Sequence, residues 1–332
     1  MYHVSIIGTG SYVPERVLSN HHLSKMVDTS DRWIIERTGI RERRIAGEEE
    51  TNTTMGMIAL QRAIQNAGIR PEEIESLVIG TNTTEPVWPS SGGPMVEGLG
   101  LRKDIPFFDV QAGCTGFNYA LAIAENSIKA GQYTTVAVIG TDKLSAITNY
   151  QDRSTCVLFG DGAGAVILRR SDQDGLIRSY LGGNAGSRNL LLLIKKNGSP
   201  NGYISMEGRK VYIFAKRIMV ESCLRVLDPA GTAGKSELRA LFEQVDKIIP
   251  HQANARIIMG AAEEFESRLG LPDGEAKEKM IMTIEQYGNN SCASIPLALD
   301  LSIREGKVKK GDLLIFVGFG AGLTYGANLV RL

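Results

Sequence analysis

Residues 109–119 read DVQAGCTGFNY, and the turn within them decides the fold. The run before it, 105–110, is short and apolar like a buried strand, whereas 119–130 has the apolar spacing of a helix that ends at Gly131. Cys114 is therefore predicted to lie in a glycine-flanked turn between a strand and the first turn of a helix. The positive end of that helix favours a thiolate, which makes Cys114 a candidate nucleophile. The alternative is a free cysteine that only packs in the core.

Composition limits the class of protein. The chain has 332 residues, enough for one large domain or two, with 37 basic and 37 acidic side chains. This balance gives no global signature of nucleic-acid or membrane binding, and no apolar run reaches the length of a membrane span. The four cysteines are widely spaced and form no C-x-x-C pair, which argues against a disulfide framework and a metal site. We therefore expect a cytoplasmic protein that needs no metal.

The second half of the chain repeats the order of the first. Residues 113–140 read as a turn, a helix, a glycine and a buried strand, and residues 288–318 read the same way. The strand predicted over 74–80 has a counterpart in 245–249. This duplication predicts two similar α/β halves about a pseudo-two-fold axis, with ligands gathered at the carboxyl ends of mostly parallel strands.

Three polar candidates fall just past predicted strand ends: Cys114, His251 and Asn289, the last after a strand predicted over 280–284. A small-residue turn, GFGAGLT at 318–324, can present a bare backbone N–H to an oxyanion. A single histidine after a strand is more often structural. Because the duplication places all these turns at one face, we expect His251 to act with the cysteine and the asparagine.

A dense basic cluster, RTGIRERR, occupies residues 37–44. A solvated loop is the simpler interpretation. The alternative is a rim that binds phosphate, in which Trp33, one helical turn from Arg37, provides a stacking surface.

These motifs resemble the thiolase-fold condensing enzymes, and specifically the β-ketoacyl-[acyl carrier protein] synthase III family that initiates bacterial type II fatty acid synthesis. The resemblance runs from about residue 3 to the C-terminus and implies an α/β, thiolase-like fold. Two internally duplicated βαβαβαββ halves would pack as five layers, α-β-α-β-α. We place the half with the nucleophile at 1–170 and the half with histidine and asparagine at 171–332. The motifs are GTGSYVP (8–14), DTSDRWI (28–34), RTGIRER (37–43), AGCTG (112–116), FGDGAGA (159–165), PHQAN (250–254), YGN (287–289) and GFGAG (318–322).

The resemblance implies a decarboxylating condensation through an acyl-cysteine intermediate. The Cys-His-Asn triad of the family falls on Cys114, His251 and Asn289. Cys114 would accept a short primer such as acetyl from its CoA thioester, and malonyl-acyl carrier protein would supply the carbanion after losing CO₂. The N–H groups of Cys114 and Ala321 would hold the oxyanion, and His251 Nε2–H with the Asn289 amide would hold the enolate. No metal or redox cofactor is expected.

The resemblance also implies three sets of binding residues. Coenzyme A contacts would be Thr29, Trp33, Arg37, Arg153, Gly208 and Asn254. Adenine would lie between the ring of Trp33 and the guanidinium of Arg153. The acyl pocket would be formed by Trp88, Phe159 and Phe319, with Trp88 coming from the partner subunit of a homodimer and restricting the primer to a small group. Acidic carrier protein would dock on Arg256, which matches a docking position of the family. Lys216 and Arg217 are further candidates from local charge alone, for which a solvated helix face is the favoured interpretation.

The chain departs from the family pattern in a few places. Ala321 replaces a common glycine, Leu323 and Tyr325 replace larger aromatic residues, and residues 269–280 extend a loop. Two alternatives therefore stay open. One is a related condensing enzyme of polyketide or secondary metabolism with another primer. The other is a non-catalytic thiolase-fold subunit, which the presence of Cys114 disfavours.

Overall fold

The computed structural model describes residues 2–194 and 202–332. The elements of the first half are β1 (His3–Tyr12), β2 (Val17–Ser19), α1 (Asn20–Leu23), α2 (Asp31–Thr38), β3 (Glu42–Arg44), α3 (Asn52–Ala67), β4 (Ser76–Gly80), α4 (Gly92–Gly98), β5 (Phe107–Val110), α5 (Gly116–Lys129), β6 (Thr135–Asp142) and β7 (Gly162–Ser171). Those of the second half are β8 (Leu176–Gly183), β9 (Leu191–Ile194), β10 (Tyr203–Met206), α6 (Gly208–Leu227), α7 (Lys235–Glu243), β11 (Lys247–Pro250), α8 (Ala255–Leu269), α9 (Glu275–Lys279), α10 (Ile284–Tyr287), α11 (Ser294–Arg304), β12 (Leu313–Gly320) and β13 (Thr324–Arg331).

The two main sheets show the predicted duplication. The first has the order β1-β7-β6-β4-β5, and the second has the order β8-β13-β12-β11, so equivalent strands occupy equivalent places. The place of β5 is taken in the second sheet by a single parallel bridge between Ile248 and Met280. The strand predicted over 280–284 is therefore wrong, since Ile284 already begins α10. A five-residue apolar run does not distinguish a strand from a buried turn of helix.

Three hydrophobic cores separate five layers. Helices α5 and α11 lie between the sheets, where Phe117 and Leu299 pack with Val138 of the first sheet and Phe316 of the second. Helices α3 and α4 cover the outer face of the first sheet. Helices α6 and α8 cover the outer face of the second sheet. The α-β-α-β-α arrangement is confirmed, whereas the boundary between residues 170 and 171 stays a prediction.

Helix α5 begins closer to the cysteine than expected. The prediction placed it over 119–130, but it starts at Gly116 and ends before Gly131, whose φ is +81°. Its apolar residues at a spacing of three to four, Phe117, Leu121, Ala124 and Ile128, are fully buried. Cys114 consequently lies two residues before the helix.

The extended loop at 269–280 is built into the structure. It contains α9, and Glu266 Oε1 accepts hydrogen bonds from the N–H groups of Gly274 (3.0 Å) and Ala276 (3.2 Å). Ala276 and Met280 join the outer core of the second half. Within the described ranges, no helix is both long and apolar enough to cross a membrane.

Candidate active site

The cysteine turn is pressed against the turn that carries Ala321. Gly113 has a φ of +57°, and a Cβ on it would lie 2.4 Å from the Ala321 nitrogen. A Cβ on Gly320 would lie 2.3 Å from the Cys114 nitrogen. Only glycine fits at both positions, because any side chain would overlap the opposite backbone. The turns that carry Cys114 and Ala321 are therefore in direct backbone contact, and their pairing as oxyanion donors stays a prediction.

His251 follows β11 and is only 1% exposed. Its backbone N–H donates to Val317 O at 2.7 Å, and its ring packs edge-on against Phe319 with centroids 5.5 Å apart. The ring atom Nδ1 lies 2.7 Å from Ser294 Oγ. Burial lowers the pKa of His251 to about 3, so the imidazole is neutral at physiological pH.

Asn289 is anchored through its backbone to the first half of the chain. Its N–H donates to Leu158 O (2.8 Å), and its carbonyl accepts from the N–H of Gly160 (3.0 Å). The side-chain oxygen Oδ1 accepts from the N–H of Ser291 at 2.9 Å. Because Oδ1 already has a partner, Nδ2 is the end of the amide that is available to a ligand.

These three side chains meet at one cavity of about 560 Å³, which Cys114, His251, Asn289 and Phe319 all line. The structure therefore brings together the residues that the sequence predicted from three separate turns. The site combines a thiol, a neutral imidazole and a primary amide, and none of these three groups carries a charge.

The protonation state of Cys114 differs from the expected one. Burial raises the pKa of its thiol to about 12, and the negative charge of Asp142 acts in the same direction. The stabilisation by a helix N-terminus, at most about 2 kcal/mol, does not offset this desolvation. A hydrogen bond from the Ser291 hydroxyl acts in the opposite direction and lowers the pKa. Cys114 is thus held as a thiol rather than as the predicted thiolate.

The outer part of the cavity carries most of the predicted coenzyme A residues. It is lined by Trp33, Arg37, Gly208, Asn254 and Arg256. The amide of Asn254 already caps α8, accepting from Arg256 N–H at 2.8 Å, and donates to Arg37 O at 3.1 Å. The position of Asn254 at the cavity is therefore explained by these two hydrogen bonds as well as by a role in binding coenzyme A.

Two further predicted coenzyme A residues, Arg153 and Thr29, are not among those that line the cavity. The guanidinium carbon of Arg153 lies 4.8 Å from the centroid of the Trp33 ring, and Arg153 donates to Asp28 O at 2.9 Å. Arg153 thus covers the ring face on which adenine was expected to stack. Thr29 Oγ1 is buried, and no hydrogen-bond partner for it is found in the part of the chain that the structure describes.

The basic cluster at 37–44 divides into separate roles. Arg37 lines the cavity, whereas Arg43 is fully buried and donates to Leu18 O, Asn20 Oδ1 and Val157 O. Burial lowers the pKa of Arg43 to about 10. The phosphate-rim interpretation is therefore wrong for Arg43, which holds strands and turns together, and it remains open for Arg37.

A second cavity of about 440 Å³ also has Cys114 in its lining. Phe159 lines both cavities, together with apolar residues such as Leu191. Trp88 lines neither cavity of its own chain and is 85% exposed. Its assignment to the acyl pocket of a partner subunit stays a prediction.

The three predicted docking residues differ in their surroundings. Arg256 lies at the cavity, with its guanidinium carbon 5.8 Å from the centroid of the Tyr212 ring. Lys216 pairs with Glu264 at 3.3 Å, and Arg217 pairs with Glu221 at 3.6 Å. These two pairs are consistent with the solvated helix face that was the alternative.

Several residues at the site were not anticipated from the sequence: Asn82, Met206, Tyr212, Ser291 and Ser294. Ser291 and Ser294 follow Asn289 closely in the chain. Their hydroxyls lie in the same turn, and this proximity to Asn289 could have predicted that they belong to the site. Met206 and Tyr212 flank Gly208 at the start of α6, and only the packing of α6 brings them to the cavity.

Comparison with known proteins assigns the family. Residues 108–185 match the family described as 3-oxoacyl-[acyl-carrier-protein (ACP)] synthase III, and residues 238–332 match its C-terminal part. The β-ketoacyl-[acyl-carrier-protein] synthase III of Clostridium acetobutylicum is 43% identical, with 100% of this chain and 99% of that protein covered. The chain belongs to the 3-oxoacyl-[acyl-carrier-protein] synthase III family. The family member of Aquifex aeolicus is 46% identical over 98% of each chain.

Solved structures of this synthase III family agree over the whole chain. The crystal structure from Aquifex aeolicus VF5 gives a TM-score of 0.89 at 44% identity, covering 99% of this chain and 100% of that one. The structure from Pseudomonas aeruginosa PAO1 gives 0.88 at 36% identity, covering 99% and 98%. The chain is thus a thiolase-fold condensing enzyme of the acyltransferase type. Within residues 2–194 and 202–332, no group of three or more histidine, cysteine or acidic side chains could hold a metal ion.

Proposed function

We propose that the protein condenses a short primer acyl-CoA, acetyl-CoA, with malonyl-acyl carrier protein. The products are a 3-oxoacyl-acyl carrier protein, CO₂ and CoA, and the reaction initiates type II fatty acid synthesis. One observation carries the proposal: Cys114, His251 and Asn289 line a single cavity of about 560 Å³ whose outer part contains Trp33 and Arg37. Such a tunnel fits a long nucleotide-bearing thioester with its reactive end at the thiol.

In the first half-reaction the primer is transferred to Cys114. The sulfur forms a bond to the thioester carbonyl, the bond from that carbonyl to the CoA sulfur breaks, and the thiol proton ends on the departing CoA. The adjacent N–H groups of Cys114 and Ala321 would hold the tetrahedral oxyanion, which develops its charge only during this step. Because Cys114 rests as a thiol, deprotonation is part of the barrier to acylation.

In the second half-reaction malonyl-carrier protein loses CO₂ and leaves an enolate. Its oxygen would accept hydrogen bonds from Asn289 Nδ2 and His251 Nε2–H. Ser294 Oγ lies 2.7 Å from Nδ1 and 2.8 Å from Ser291 O, and its one proton can be donated to only one of them. The proposal requires donation to Nδ1, which keeps the ring proton on Nε2. The carbanion then attacks the acyl carbonyl, the carbon–carbon bond forms as the bond from that carbonyl to sulfur breaks, and Cys114 leaves as a thiolate. The thiolate takes up one proton from solvent, which is the proton that the overall reaction consumes. These steps use only side chains and backbone of this chain.

Coenzyme A would bind along the outer cavity. Thr29, Trp33, Arg37, Arg153, Gly208 and Asn254 are the proposed contacts. The support is the position of Trp33, Arg37 and Gly208 at the cavity and the unpartnered, buried hydroxyl of Thr29. For adenine to stack on Trp33, Arg153 has to leave the ring face that it now covers.

The protein is proposed to act as a homodimer with acidic carrier protein as its second substrate. The strand β5 forms the edge of the first sheet, and its Phe107 and Phe108 are 36% and 38% exposed. Trp88 is exposed as well. Edge strands with exposed aromatic side chains are typical of association surfaces. For the carrier protein, Arg256 is the favoured contact, because it stands at the cavity without an acidic partner among the described ion pairs.

The decisive experiment is acylation of the purified enzyme by acetyl-CoA, read by mass spectrometry. An acetyl group on the Cys114 peptide is expected, and Cys114→Ser should abolish it. Adding malonyl-carrier protein should then yield the 3-oxoacyl product with release of CO₂. An enzyme that stays unmodified after treatment with acetyl-CoA would contradict the proposal.

The primer is tested by comparing acetyl-, isobutyryl- and octanoyl-CoA. We expect acetyl-CoA to be turned over fastest, because a partner's tryptophan at position 88 would shorten the acyl pocket. Trp88→Ala should raise the relative rate with the longer primers. A wild-type preference for octanoyl-CoA would overturn the assignment of a small primer.

One second function has a specific observation in its favour. A priming β-ketosynthase from the R1128 polyketide biosynthetic pathway has a TM-score of 0.88 to this chain at 33% identity. The same three side chains could prime a polyketide with another acyl group. Analysis of the product formed with matched sets of acyl-CoA primers separates the two functions.

A further inference from the structure

Cys292 is a second buried cysteine, and it reaches from the turn of Asn289 to the turn of Cys114. It is 1% exposed. Its sulfur lies so close to the start of α5 that a Cβ on Gly116 would be 2.7 Å from it. Cys292 therefore contacts the first half of the molecule from a turn that belongs to the second half, and the mechanism described above gives its thiol no role.

The backbone of Cys292 is held against β6. Its N–H donates to Asp142 Oδ2 at 3.0 Å. A Cβ on Gly140 would lie 2.2 Å from the Cys292 carbonyl oxygen, so the strand and the turn are in direct contact there. Because the backbone is fixed against β6 and the sulfur packs against Gly116, the position of the thiol is closely defined.

The thiol of Cys292 donates to Gly113 O, with Sγ 3.1 Å from that oxygen. Burial raises the pKa of Cys292 well above its usual range, so the sulfur keeps the proton that it donates. The sulfur itself accepts from Asn82 Nδ2 at 3.2 Å, and the Ser291 hydroxyl is a more distant donor at 3.9 Å. Among the described residues, Gly113 O is thus the acceptor for the single S–H proton.

Gly113 O has two other donors, and neither replaces the thiol. The N–H of Gly116 donates to it at 3.0 Å within the turn itself. Asn82 Nδ2 lies 3.2 Å away, but one of its two protons goes to the charged Asp142 Oδ2 at 3.1 Å, and the other is shared among several acceptors. Cys292 therefore supplies the donor from outside the turn that has no competing acceptor.

The oxygen of Gly113 and the N–H of Cys114 belong to one peptide group. Because that group is planar, a donor that fixes the oxygen also fixes the direction of the N–H. A hydrogen bond accepted by the carbonyl also polarises the peptide and makes its N–H a stronger donor.

We propose that Cys292 is a positioning residue for the oxyanion hole. Its thiol, bonded to Gly113 O, orients and polarises the peptide whose N–H would hold the tetrahedral oxyanion on acylation of Cys114. The inference rests on the proposed function, in which this N–H is an oxyanion donor.

Cys292→Ala and Cys292→Ser separate the hydrogen bond from the packing. Alanine removes the donor, whereas serine keeps an O–H at the same place. Single-turnover acylation of Cys114 at saturating acetyl-CoA is expected to fall about 3- to 10-fold in Cys292→Ala and to stay within about twofold of the wild type in Cys292→Ser. Cys223→Ala is the matched control, because Cys223 is also fully buried but its sulfur has no hydrogen-bond partner in the described part of the chain. It should acylate like the wild type.

Two reagents that need no coenzyme A separate a role at the oxyanion from general damage to the site. Iodoacetamide alkylates Cys114 at a saturated carbon and forms no oxyanion, so its rate at constant pH should change less than about twofold in Cys292→Ala. Acylation of Cys114 by 4-nitrophenyl acetate passes through a tetrahedral oxyanion and should fall as acylation by acetyl-CoA does. Mass spectrometry of the Cys114 peptide measures both rates.

Unchanged acylation in Cys292→Ala would overturn the proposal. Equal losses of alkylation and acylation would overturn it too, since they indicate a merely structural role, and so would equal losses of acylation in the alanine and serine variants. If Cys292→Ala does not fold, the pair Cys292→Thr and Cys292→Val makes the same comparison with a hydroxyl against a methyl group.

Failure of the proposed function has a different signature from failure of this inference. Acylation by 4-nitrophenyl acetate would still depend on residue 292 as expected, but the wild-type enzyme would make no 3-oxoacyl product from malonyl-carrier protein.

Discussion

The two halves of the molecule hold equivalent turns by different means. In the first half, β5 pairs in parallel with β4 over four residues and leads directly into the Cys114 turn. In the second half, the equivalent strand is reduced to the bridge between Ile248 and Met280. The turn that carries Asn289 is therefore not preceded by a paired strand of its own sheet, only by this single bridge.

Hydrogen bonds to the first half replace the missing strand. The backbone of Asn289 bonds Leu158 and Gly160, and Asn290 Nδ2 donates to Asp161 O of the first half at 3.1 Å. Asn290 Nδ2 also donates to Tyr287 O within its own half at 3.1 Å. Cys114 is thus placed by its own sheet and by backbone contact, whereas Asn289 is placed by backbone hydrogen bonds across the interface between the halves. This difference ties the geometry of the triad to the packing of one half on the other.

The largest effect is expected from a substitution at the backbone contact between the turns that carry Cys114 and Ala321. Gly113→Ala would place a Cβ 2.4 Å from Ala321 N at a φ of +57°, and so should push the two oxyanion donors apart. We expect acetyl transfer to fall by about 10²–10³ and the free energy of unfolding to drop by about 2–4 kcal/mol. Single-turnover acylation and urea unfolding measure the two effects.

Gly100→Ala is the matched control for Gly113→Ala. Gly100 has a similar φ of +68°, but nothing lies within 4 Å of its missing Cβ. It should lose about 1–2 kcal/mol of stability and keep its activity. Equal loss of activity in both variants would show that backbone strain, rather than the contact with Ala321, controls the site.

The next-largest effect is expected on the pH dependence of stability, which depends on the buried His251 of the second half. Its pKa is about 3 in the folded state, against about 6.5 in an unfolded chain, so stability is fully present above pH 6.5 and is lost as the pH falls toward 3. The unfolding free energy of the wild type should fall by up to about 1.4 kcal/mol per pH unit more steeply than that of His251→Gln. Urea unfolding between pH 7 and pH 4 checks this, with His22→Gln as the surface control. Parallel slopes for wild type and His251→Gln would contradict a neutral, buried imidazole.

A smaller effect is expected from the polar bonds that replace the strand. Asn290→Ala leaves the buried carbonyl of Asp161 and the partly buried carbonyl of Tyr287 without this donor and should cost about 1–3 kcal/mol of unfolding free energy. CO₂ release should slow more than iodoacetamide alkylation of Cys114, because the change is confined to the second turn. Asn149→Ala, in an exposed turn, should change stability by less than about 0.5 kcal/mol. If Asn290→Ala lowered the alkylation of Cys114 more than the release of CO₂, the two turns would not be held independently.

The smallest effect is expected at position 321. Ala321→Gly restores the glycine common in the family, and only the N–H of this residue is needed for the oxyanion. We expect kcat to change by less than about twofold, since the close contact requires glycine at 113 and 320 rather than at 321. A large change in kcat would mean that the methyl group of Ala321 positions the acyl group.

Much of this architecture could be predicted from the chain. Local sequence patterns predict the order of elements around Cys114, the duplication and the three triad residues. They do so because strand–turn–helix runs and glycine positions depend on neighbouring residues. The strand at 280–284 failed because pairing partners, not local propensity, decide whether a short apolar run extends a sheet. The arginines at 37 and 43 could not be separated by pattern, because burial of Arg43 depends on chain segments more than a hundred residues away.

The sequence by itself determined the turns in which the three candidate residues lie, and these turns meet at one cavity. Only the tertiary structure decided their chemical states. The thiol of Cys114 and the neutral ring of His251 follow from desolvation by both halves together, which outweighs the local field of a helix end.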